Sequence, residues 1–359
     1  MAEQARRGGL SGSDAESPDR AAHWSKQKEV AAGYWHIKLI LLMFKFFPVI
    51  ILRLVAFPVG FFYFLFSKQA KEKSRQYLDR VAAALKADAD GSGFRASCLT
   101  HILTFALSLI EKVESWGGKV SFKRIHFQDD DIGEFIERLE KGEGAFLISS
   151  HLGNMEFIRA LAGLNRTGVS REIPVSAVVD FTVTAHFNRM LTELNPRSMT
   201  HLVSAKEIGP ETVILLQKRL AAGELVAIAG DRTSGSENSR FLSLPFFGKK
   251  AAFPYGPFFL ASLLEAPVYF VFALRQKDIS LFSPTYVLHL HKSGVSFDCP
   301  RREREGRIKE LASCFVFRLE QYCKEHPYQW YNFYDFWGAQ KRSPSRTVDG
   351  KKAAAPGAK

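Results

Sequence analysis

The stretch that most constrains this chain runs from residue 142 to residue 164, GEGAFLISSHLGNMEFIRALAGL. The apolar run Ala145–Ser149 predicts a buried strand, and the apolar spacing over Met155–Leu164 predicts an amphipathic helix. A short polar turn between them carries His151, and Asn154 is placed to cap the helix by accepting from its first unpaired amides. In α/β folds, the carboxyl end of a strand ahead of a helix N-terminus is where chemistry is placed.

An acidic residue, Glu156, follows His151 by five positions, a spacing that on one regular helix separates two side chains by about 140°. The two can meet only if His151 lies in the turn and Glu156, on the first helical turn, reaches back. The carboxylate can then hold one imidazole nitrogen and leave the other to accept a proton. His126 and Asp131 have the same spacing, but only His151 has an apolar strand before it and an amphipathic helix after it.

The composition narrows the range of partners. The chain has 359 residues, a formal net charge of +12 and 31 phenylalanines. Such a charge requires an anionic partner, and nucleic acid, anionic lipid and an acidic carrier protein all meet that requirement, while the phenylalanines favour lipid. The lysines and arginines are spread over many segments and form no basic-aromatic stripe, which argues against nucleic acid. Four cysteines without C-x-x-C spacing indicate reduced thiols, not a zinc site.

A strongly apolar segment, Ile37–Phe66, is interrupted by Lys38, Lys45 and Arg53. Its longest uncharged run, Leu54–Phe66, is shorter than the roughly 20 residues that a spanning helix needs. On a helix the three cations fall on one side, which is typical of a segment that lies in the membrane interface. We therefore expect an in-plane or re-entrant anchor, with a tilted single span and a buried pair of core helices as alternatives.

Strand and helix patterns alternate along the remainder of the chain. Strand patterns lie at 119–127, 145–149, 173–181, 224–230, 267–274 and 286–294, the last with the alternation of a half-solvated edge strand, and a long amphipathic helix lies at 303–325. This alternation predicts an α/β fold with a substantially parallel sheet. We expect disordered tails at 1–22 and 339–359, a membrane-associated helical segment at 23–68 and a globular domain at 69–338.

A second informative block begins with Asp231 and Arg232, which end a short buried strand at the edge of the sheet where His151 should also emerge. Further along, a Gly-Lys pair beside aromatic residues could bind a phosphate while the rings line a slot for an acyl chain. The alternative is a turn that packs on the core with its lysines in solvent. The candidate substrate-binding residues of this part are Phe247, Gly248 and Lys250.

Several kinds of site lack their usual motif. The chain has neither G-x-G-x-x-G nor a P-loop, so a nucleotide cofactor is not expected. Ser149 and Ser150 lack the G-x-S-x-G elbow of serine hydrolases. His289 and His291, without an acidic or thiol partner nearby, are interpreted as solvent-facing, and His101, on an apolar helix face, as packed. General-base activation of a hydroxyl is what the imidazole–carboxylate pair can offer.

Three segments together resemble a known family. HLGNMEFIRAL, the GDR block with LPFFGKKAAFPYGPF, and the terminal YNFYDFW are similar to the late lipid A acyltransferase branch of the lysophospholipid acyltransferase superfamily. Within it, the chain resembles the lipid acyltransferases associated with aryl-polyene gene clusters. The resemblance extends from about His23 to Trp337. It implies a mixed, largely parallel sheet wrapped by helices, and a site at the cytoplasmic face of the bacterial inner membrane.

The resemblance also implies a reaction. His151 would deprotonate the hydroxyl of a lipid acceptor, with Glu156 as its orienting partner, and the oxygen would attack the thioester of acyl carrier protein or coenzyme A. Asp231 and Arg232 correspond to a block that shapes the acceptor site, and Asn154 lies in the motif itself. No cofactor or metal is expected, because a thioester brings its own activation. A lipid hydrolase and a non-catalytic basic protein that binds nucleic acid or membranes are the alternatives.

Overall fold

The computed structural model describes residues 43–44, 46–88, 94–116, 122–128, 131–158, 169–171, 173–180, 200–233 and 240–338. The expected tails, the two lysines of the expected cationic stripe and most of the helix after His151 lie outside these residues. The predicted domain boundaries stay predictions.

The described elements alternate between strands and helices. The strands are β1 (Ile125–Phe127), β2 (Ala145–Gly153), β3 (Val175–Val179), β4 (Thr200–Ser204), β5 (Leu225–Ala229), β6 (Phe241–Phe246), β7 (Lys249–Pro254), β8 (Val268–Arg275) and β9 (Tyr286–Lys292). The helices are α1 (Val49–Phe66), α2 (Lys68–Ala87), α3 (Cys98–Trp116), α4 (Asp131–Glu140), α5 (Pro210–Ala221), α6 (Gly256–Leu264) and α7 (Arg304–Glu325).

Seven of the strands form one mixed sheet in the order β1-β9-β8-β2-β5-β3-β4, and β6 and β7 form a separate antiparallel hairpin. All neighbouring pairs in the large sheet are parallel except β8 and β9. The predicted α/β class with a largely parallel sheet is confirmed. Strands buried on both faces explain the continuous apolar runs in the sequence.

Helices cover both faces of the sheet. In β2, Phe146 and Ile148 pack in the core that contains α6, α7 and the β6–β7 hairpin. Ala145 and Leu147 point to the opposite core, with α4 and Phe157. Because side chains alternate along a strand, β2 contributes to both cores and lies at the centre of the domain.

The sheet corrects one sequence expectation, because β9 is not an edge strand. β1 pairs with its outer side. His289 is buried, with its ring centroid 4.5 Å from that of Tyr322 in α7. His291 Nε2 lies 2.6 Å from the Tyr322 hydroxyl. The expected solvent-facing histidines therefore pack against α7. The sequence predicts a strand at 119–127, but its pattern does not show that this strand pairs with β9.

The first described helix, α1, is tied to α3 by a buried ion pair. Arg53 is 3% exposed and pairs with Glu114, and its guanidinium also donates to the carbonyl of Leu281 at 2.9 Å. Gly60 lets the two helices approach, since a Cβ there would lie 3.1 Å from Leu103 Cδ2. Arg53 therefore faces protein and does not belong to a cationic stripe on the outside of the helix.

The opposite face of α1 is apolar and exposed. Its exposed large side chains include Leu54, Val55, Val59, Phe61, Phe62 and Phe66. Pro58 lies inside the helix without ending it. By length and composition, α1 is the one helix among the described residues that could cross a membrane.

Helix α3 is also tied to the carboxyl end of β8. The guanidinium of Arg275, the last residue of β8, lies 2.9 Å from the Glu111 carboxylate, and both side chains are 2% exposed. Gln329 accepts from the Arg275 amide at 2.8 Å and donates to its carbonyl at 2.7 Å. This pair therefore joins a helix, a strand and the C-terminal segment at one edge of the sheet.

Removing one partner of the Arg275–Glu111 pair should be strongly destabilising. Arg275→Met leaves the Glu111 carboxylate buried without its cation, which costs about 3–5 kcal/mol in the free energy of unfolding. Arg307→Met is the matched control, because Arg307 pairs with Glu310 at the surface and its loss should cost at most about 1 kcal/mol. Urea unfolding measures both. Similar small losses in the two variants would contradict the structural role of the buried pair.

Candidate active site

His151 lies in an irregular part of β2. The β2–β8 register passes from Ser149–Val271 directly to Gly153–Ala273, so residues 150–152 of β2 oppose residue 272 alone. Such a bulge bends the strand and redirects side chains, and bulges are common next to active sites. The strand therefore continues past its predicted end, and His151 projects from a bulge at the carboxyl edge of the sheet.

The bulge ends at a glycine that no other residue can replace without strain. Gly153 has φ +72°, and a Cβ at this position would lie 2.0 Å from the carbonyl oxygen of Ala273. The Gly153 amide donates to the Gln329 carbonyl at 2.9 Å, and the Asn154 amide donates to the Ala273 carbonyl at 2.9 Å. The backbone that carries His151 is thus fixed on both sides.

Asp231 binds His151 through two hydrogen bonds. Asp231 Oδ1 lies 2.8 Å from His151 Nδ1, and Asp231 Oδ2 accepts from the His151 backbone amide at 2.9 Å. Asp231 follows β5, which pairs in parallel with β2. The two residues meet at one edge of the sheet because parallel neighbours end on the same side, as expected from the sequence.

The charge on Asp231 fixes the tautomer of the imidazole. Asp231 is fully buried, and burial alone would raise its pKa, but His151 and Arg232 lower that pKa to about 2. The carboxylate is therefore ionised at neutral pH and can only accept hydrogen bonds. His151 Nδ1 must then carry the proton of the neutral ring, which leaves a lone pair on Nε2.

The surroundings of His151 keep its ring neutral. Burial, first, and the cations of Arg232 and Lys112 lower the pKa of His151, while the Asp231 carboxylate opposes them. The side chain is still 26% exposed, so a substrate can approach it. A neutral, reachable imidazole with an unprotonated Nε2 can act as a general base.

The carboxylate on Nδ1 belongs to Asp231 and not, as the spacing predicts, to Glu156. Glu156 is 8% exposed. Burial lowers the pKa of Lys112 in α3, and the negative charge of Glu156 opposes that shift. The sequence spacing points to the nearest acid along the chain. The pairing of β2 with β5 instead places the Asp231 carboxylate, 80 residues further along the chain, next to His151.

Asn154 caps the helix that follows, as predicted. Its Oδ1 accepts from the Glu156 amide at 3.1 Å, which fixes the orientation of the side-chain amide. Asn154 is 2% exposed, and within the described part of the chain its Nδ2 has no acceptor. An unpaired buried donor therefore lies three residues from His151, beside a helix of which residues 156–158 are described.

The C-terminal aromatic segment closes this edge of the sheet. Trp330 forms an antiparallel bridge with Leu152, and the Tyr331 amide approaches the His151 carbonyl at 3.4 Å. Arg232 donates to the Tyr331 carbonyl at 2.8 Å. His151, Arg232 and the C-terminal segment therefore form one connected unit.

Trp330 and Lys112 are site residues that the sequence expectation does not include. The Trp330 side chain is 1% exposed, and its indole N–H donates to Asp231 Oδ2 at 3.1 Å. Lys112 lies on α3, and its charge acts on His151. The aromatic run YQWYNFYDFW is the available signal for Trp330, whereas a lysine in a helical pattern gives none.

The predicted phosphate and acyl site is a hairpin turn between β6 and β7. Phe247 and Gly248 have φ of +50° and +71°, and Phe247 is buried with its ring 6.1 Å from that of Tyr77. Lys250 is exposed. No hydrogen bond or ion pair between described residues joins these three to His151. The geometry matches the alternative of a turn packed on the core, and their substrate role stays a prediction.

His101 is packed, as expected. It is fully buried, its Nδ1 lies 2.9 Å from the Ser74 hydroxyl, and its Nε2 lies 3.0 Å from the Trp330 carbonyl. Burial lowers its pKa to about 4. In the parts of the chain that are described, no group of three or more His, Cys, Asp or Glu side chains is arranged to hold a metal ion.

A methyl group at Gly153 should disrupt the contact between the bulge of β2 and Ala273 in β8. Gly153→Ala combines an unfavourable φ with a backbone clash, so the free energy of unfolding should fall by at least about 2 kcal/mol. Gly133→Ala, in α4 with open space around it, is the control and should be neutral or stabilising by up to about 1 kcal/mol. Thermal unfolding compares them, and equal stabilities would contradict the close approach to Ala273.

Comparison with known proteins agrees with the sequence resemblance. A family model described as bacterial lipid A biosynthesis acyltransferase matches residues 22–338. A search of curated proteins gives no match. The family acts with an acyl donor and a lipid acceptor, while the aryl-polyene subtype stays a prediction. Since the match covers most of the sequence, the chain belongs to the bacterial lipid A biosynthesis acyltransferase family.

Proposed function

We propose that this acyltransferase moves a fatty acyl chain from the thioester of acyl carrier protein or coenzyme A to a hydroxyl of a lipid or glycolipid. The reaction would take place at the cytoplasmic face of the bacterial inner membrane, with His151 as the general base. One observation carries the proposal: His151 Nδ1 lies 2.8 Å from Asp231 Oδ1. Burial lowers the pKa of His151, and the pKa of Asp231 is lowered to about 2, so a neutral imidazole faces an ionised carboxylate at neutral pH. That arrangement directs Nε2 towards proton removal.

The proposed step begins at His151 Nε2. This nitrogen removes the hydroxyl proton as the acceptor oxygen attacks the thioester carbonyl, and the imidazolium then returns the proton to the departing thiolate. Asp231 stabilises the transient imidazolium because its carboxylate is buried and ionised. A positioned base of this kind contributes about 10²–10⁴-fold to the rate.

The tetrahedral intermediate needs donors for its oxyanion. The backbone amides of Asn154 and Glu156 already donate to protein oxygens. We propose the Asn154 side-chain Nδ2 for this role, because it is buried beside His151 with its partner oxygen committed elsewhere. Arg232 supplies positive charge next to the base. Donors placed in advance can stabilise such an intermediate by several kcal/mol.

Glu156 remains part of the proposed site as a positioning residue. Its carboxylate interacts with Lys112, and Lys112 in turn lowers the pKa of His151. Glu156 therefore favours the charged form of Lys112, and that charge helps to keep His151 neutral. This role is indirect, so its loss should cost less than the loss of Asp231.

For the hairpin residues Gly248 and Lys250 we propose a substrate-binding role, which rests only on their exposure and on the positive charge of the lysine. Lys250 and the adjacent Lys249 are exposed at the turn, where cations can meet an anionic headgroup or an acidic carrier protein. Phe247 would support that turn from the core.

We propose that α1 lies in the plane of the membrane interface. One of its faces is fixed to α3 through the Arg53–Glu114 pair, and the opposite face is apolar and exposed. A spanning position would carry that ion pair into hydrocarbon, which is costly. Phe282 adds to the apolar surface: it is 79% exposed, and its carbonyl approaches Arg53 Nη1 at 3.4 Å.

The alternative of a serine hydrolase has little support in the geometry. Ser150 is 1% exposed, and its Oγ accepts from the Leu152 amide at 3.2 Å. A hydrolase that activates water through His151 differs from the proposal only in its product.

Site variants and product analysis test the proposal. The purified protein is supplied with palmitoyl thioesters of acyl carrier protein and of coenzyme A in separate reactions, with inner-membrane lipid as acceptor. Mass spectrometry should find acylated lipid; mainly free fatty acid would indicate a hydrolase. His151→Asn should abolish transfer, and Asp231→Asn should lower kcat by about 10²–10⁴-fold.

Acid-to-amide variants at three positions should lower kcat by different amounts, and the surface position serves as the control. Glu156→Gln should lower kcat by about tenfold, less than Asp231→Asn, because Glu156 acts through Lys112. Glu310→Gln, on the surface of α7, should leave transfer unchanged. Full activity in Asp231→Asn, or in His151→Asn, would contradict the mechanism.

Surface substitutions on α1 test membrane binding better than deletion of α1, which would leave Glu114 without Arg53. Phe62→Ser with Phe66→Ser should weaken binding to vesicles of phosphatidylethanolamine and phosphatidylglycerol by about tenfold or more, because two exposed rings that would enter the membrane are lost. Phe317→Ser, at an exposed position on α7, is the control. Vesicle flotation measures binding, and unchanged flotation of the double variant would exclude this face as the anchor.

A further inference from the structure

We infer that Trp330 is a positioning residue for the proposed base. Its indole N–H donates a hydrogen bond to the Asp231 carboxylate and so weakens the attraction of that carboxylate for the proton on His151. The inference rests on the proposed role of His151. The Trp330 side chain is 1% exposed, so it would contact neither the acyl donor nor the lipid acceptor.

Three donors share the Asp231 carboxylate. Oδ1 binds His151 Nδ1 at 2.8 Å, while Oδ2 accepts from the His151 amide at 2.9 Å and from Trp330 Nε1 at 3.1 Å. Among the described residues, Trp330 is the only side chain other than His151 that donates to Asp231. Each donor withdraws negative charge from the carboxylate, so the number of donors determines how strongly Asp231 favours a proton on the imidazole.

The indole is held in place by three other elements. Its ring centroid lies 5.0 Å from that of Tyr77 in α2 and 5.3 Å from that of Phe246 in β6. The backbone carbonyl of Trp330 lies 3.0 Å from His101 Nε2 in α3, and His101 Nδ1 lies 2.9 Å from the Ser74 hydroxyl in α2. Hydrogen bonds therefore anchor the backbone of Trp330 to His101 of α3 and, through it, to Ser74 of α2, while the indole N–H of the same residue binds Asp231.

The charged and titratable groups near His151 and Asp231 come from several elements. They are Asp231 and Arg232 after β5, Lys112 in α3, Glu156 after β2, Cys323 in α7, and Tyr331 and Tyr334 in the C-terminal segment. Burial raises the pKa of the Cys323 thiol and of both tyrosines, so these groups stay neutral. Burial also lowers the pKa of His101 to about 4, below the range in which the ordinary imidazole titrates.

Trp330→Phe tests the inference, because it removes the N–H and keeps an aromatic ring. With one donor fewer, the carboxylate should attract the imidazole proton more strongly, and the pKa of His151 should rise by about half a unit. The measurement is an NMR titration of ¹³C-histidine in the purified full chain without substrate. The His151 signal is the one that disappears in His151→Asn.

Trp337→Phe is the matched control. Trp337 belongs to the same aromatic cluster, 6.3 Å from Trp330, but its indole N–H donates to the Phe246 carbonyl at 3.3 Å. This variant should lose similar packing and leave the His151 pKa unchanged. An unchanged pKa in Trp330→Phe, or an equal shift in both variants, would overturn the inference.

A second measurement keeps the inference testable if Trp330→Phe does not fold. In wild-type protein labelled with ¹⁵N at the indoles, one N–H resonance should titrate with the same midpoint as His151, and it should lose this titration in His151→Asn. Indole resonances that do not follow His151 would overturn the inference. No substrate is present in either titration, so an intact coupling together with a failed transfer assay would refute the proposed function alone.

Discussion

The hydrogen bond between the ionised Asp231 and His151 Nδ1 is the interaction on which the site depends. It requires β5 to lie beside β2 in parallel register, so that both residues leave the sheet at the same edge. It also requires the bulge that ends at Gly153, because a regular strand would direct the residues after Ser149 differently. The topology of the sheet and the bulge in β2 therefore together bring His151 and Asp231 into contact.

A fully buried carboxylate is costly unless donors surround it. Here the donors come from the imidazole, the His151 amide and the Trp330 indole, while Arg232 supplies a nearby cation. The Trp330 indole attaches the C-terminal segment to Asp231, and the Trp330 backbone pairs with Leu152 in the bulge and with His101 of α3. Stability and proposed chemistry thus share one set of hydrogen bonds, which explains why a segment more than 170 residues after His151 in the sequence belongs to the site.

Much of the fold follows from local patterns, but the carboxylate that binds His151 does not. The strand that leads to His151 and the capping role of Asn154 are predictable because hydrophobic period and capping chemistry are local properties, whereas the expected turn at His151 is a bulge of β2. That Asp231 emerges at the same edge is also predictable, from strand ends in a parallel sheet. Its selection over Glu156 depends on register and on a bulge, which sequence spacing does not encode. Arg53 shows the same limit, because an ion-paired arginine inside a helix pair and a membrane-facing one have the same sequence pattern.

The most direct test of this account is the tautomer of His151 in the resting protein at neutral pH. Nitrogen-15 NMR of histidine-labelled protein distinguishes a protonated ring nitrogen from one with a lone pair. We expect a neutral ring with the proton on Nδ1 and a lone pair on Nε2, and we expect this preference to be lost in Asp231→Asn. A proton on Nε2 with Nδ1 unprotonated, or a ring that is already charged, would contradict it.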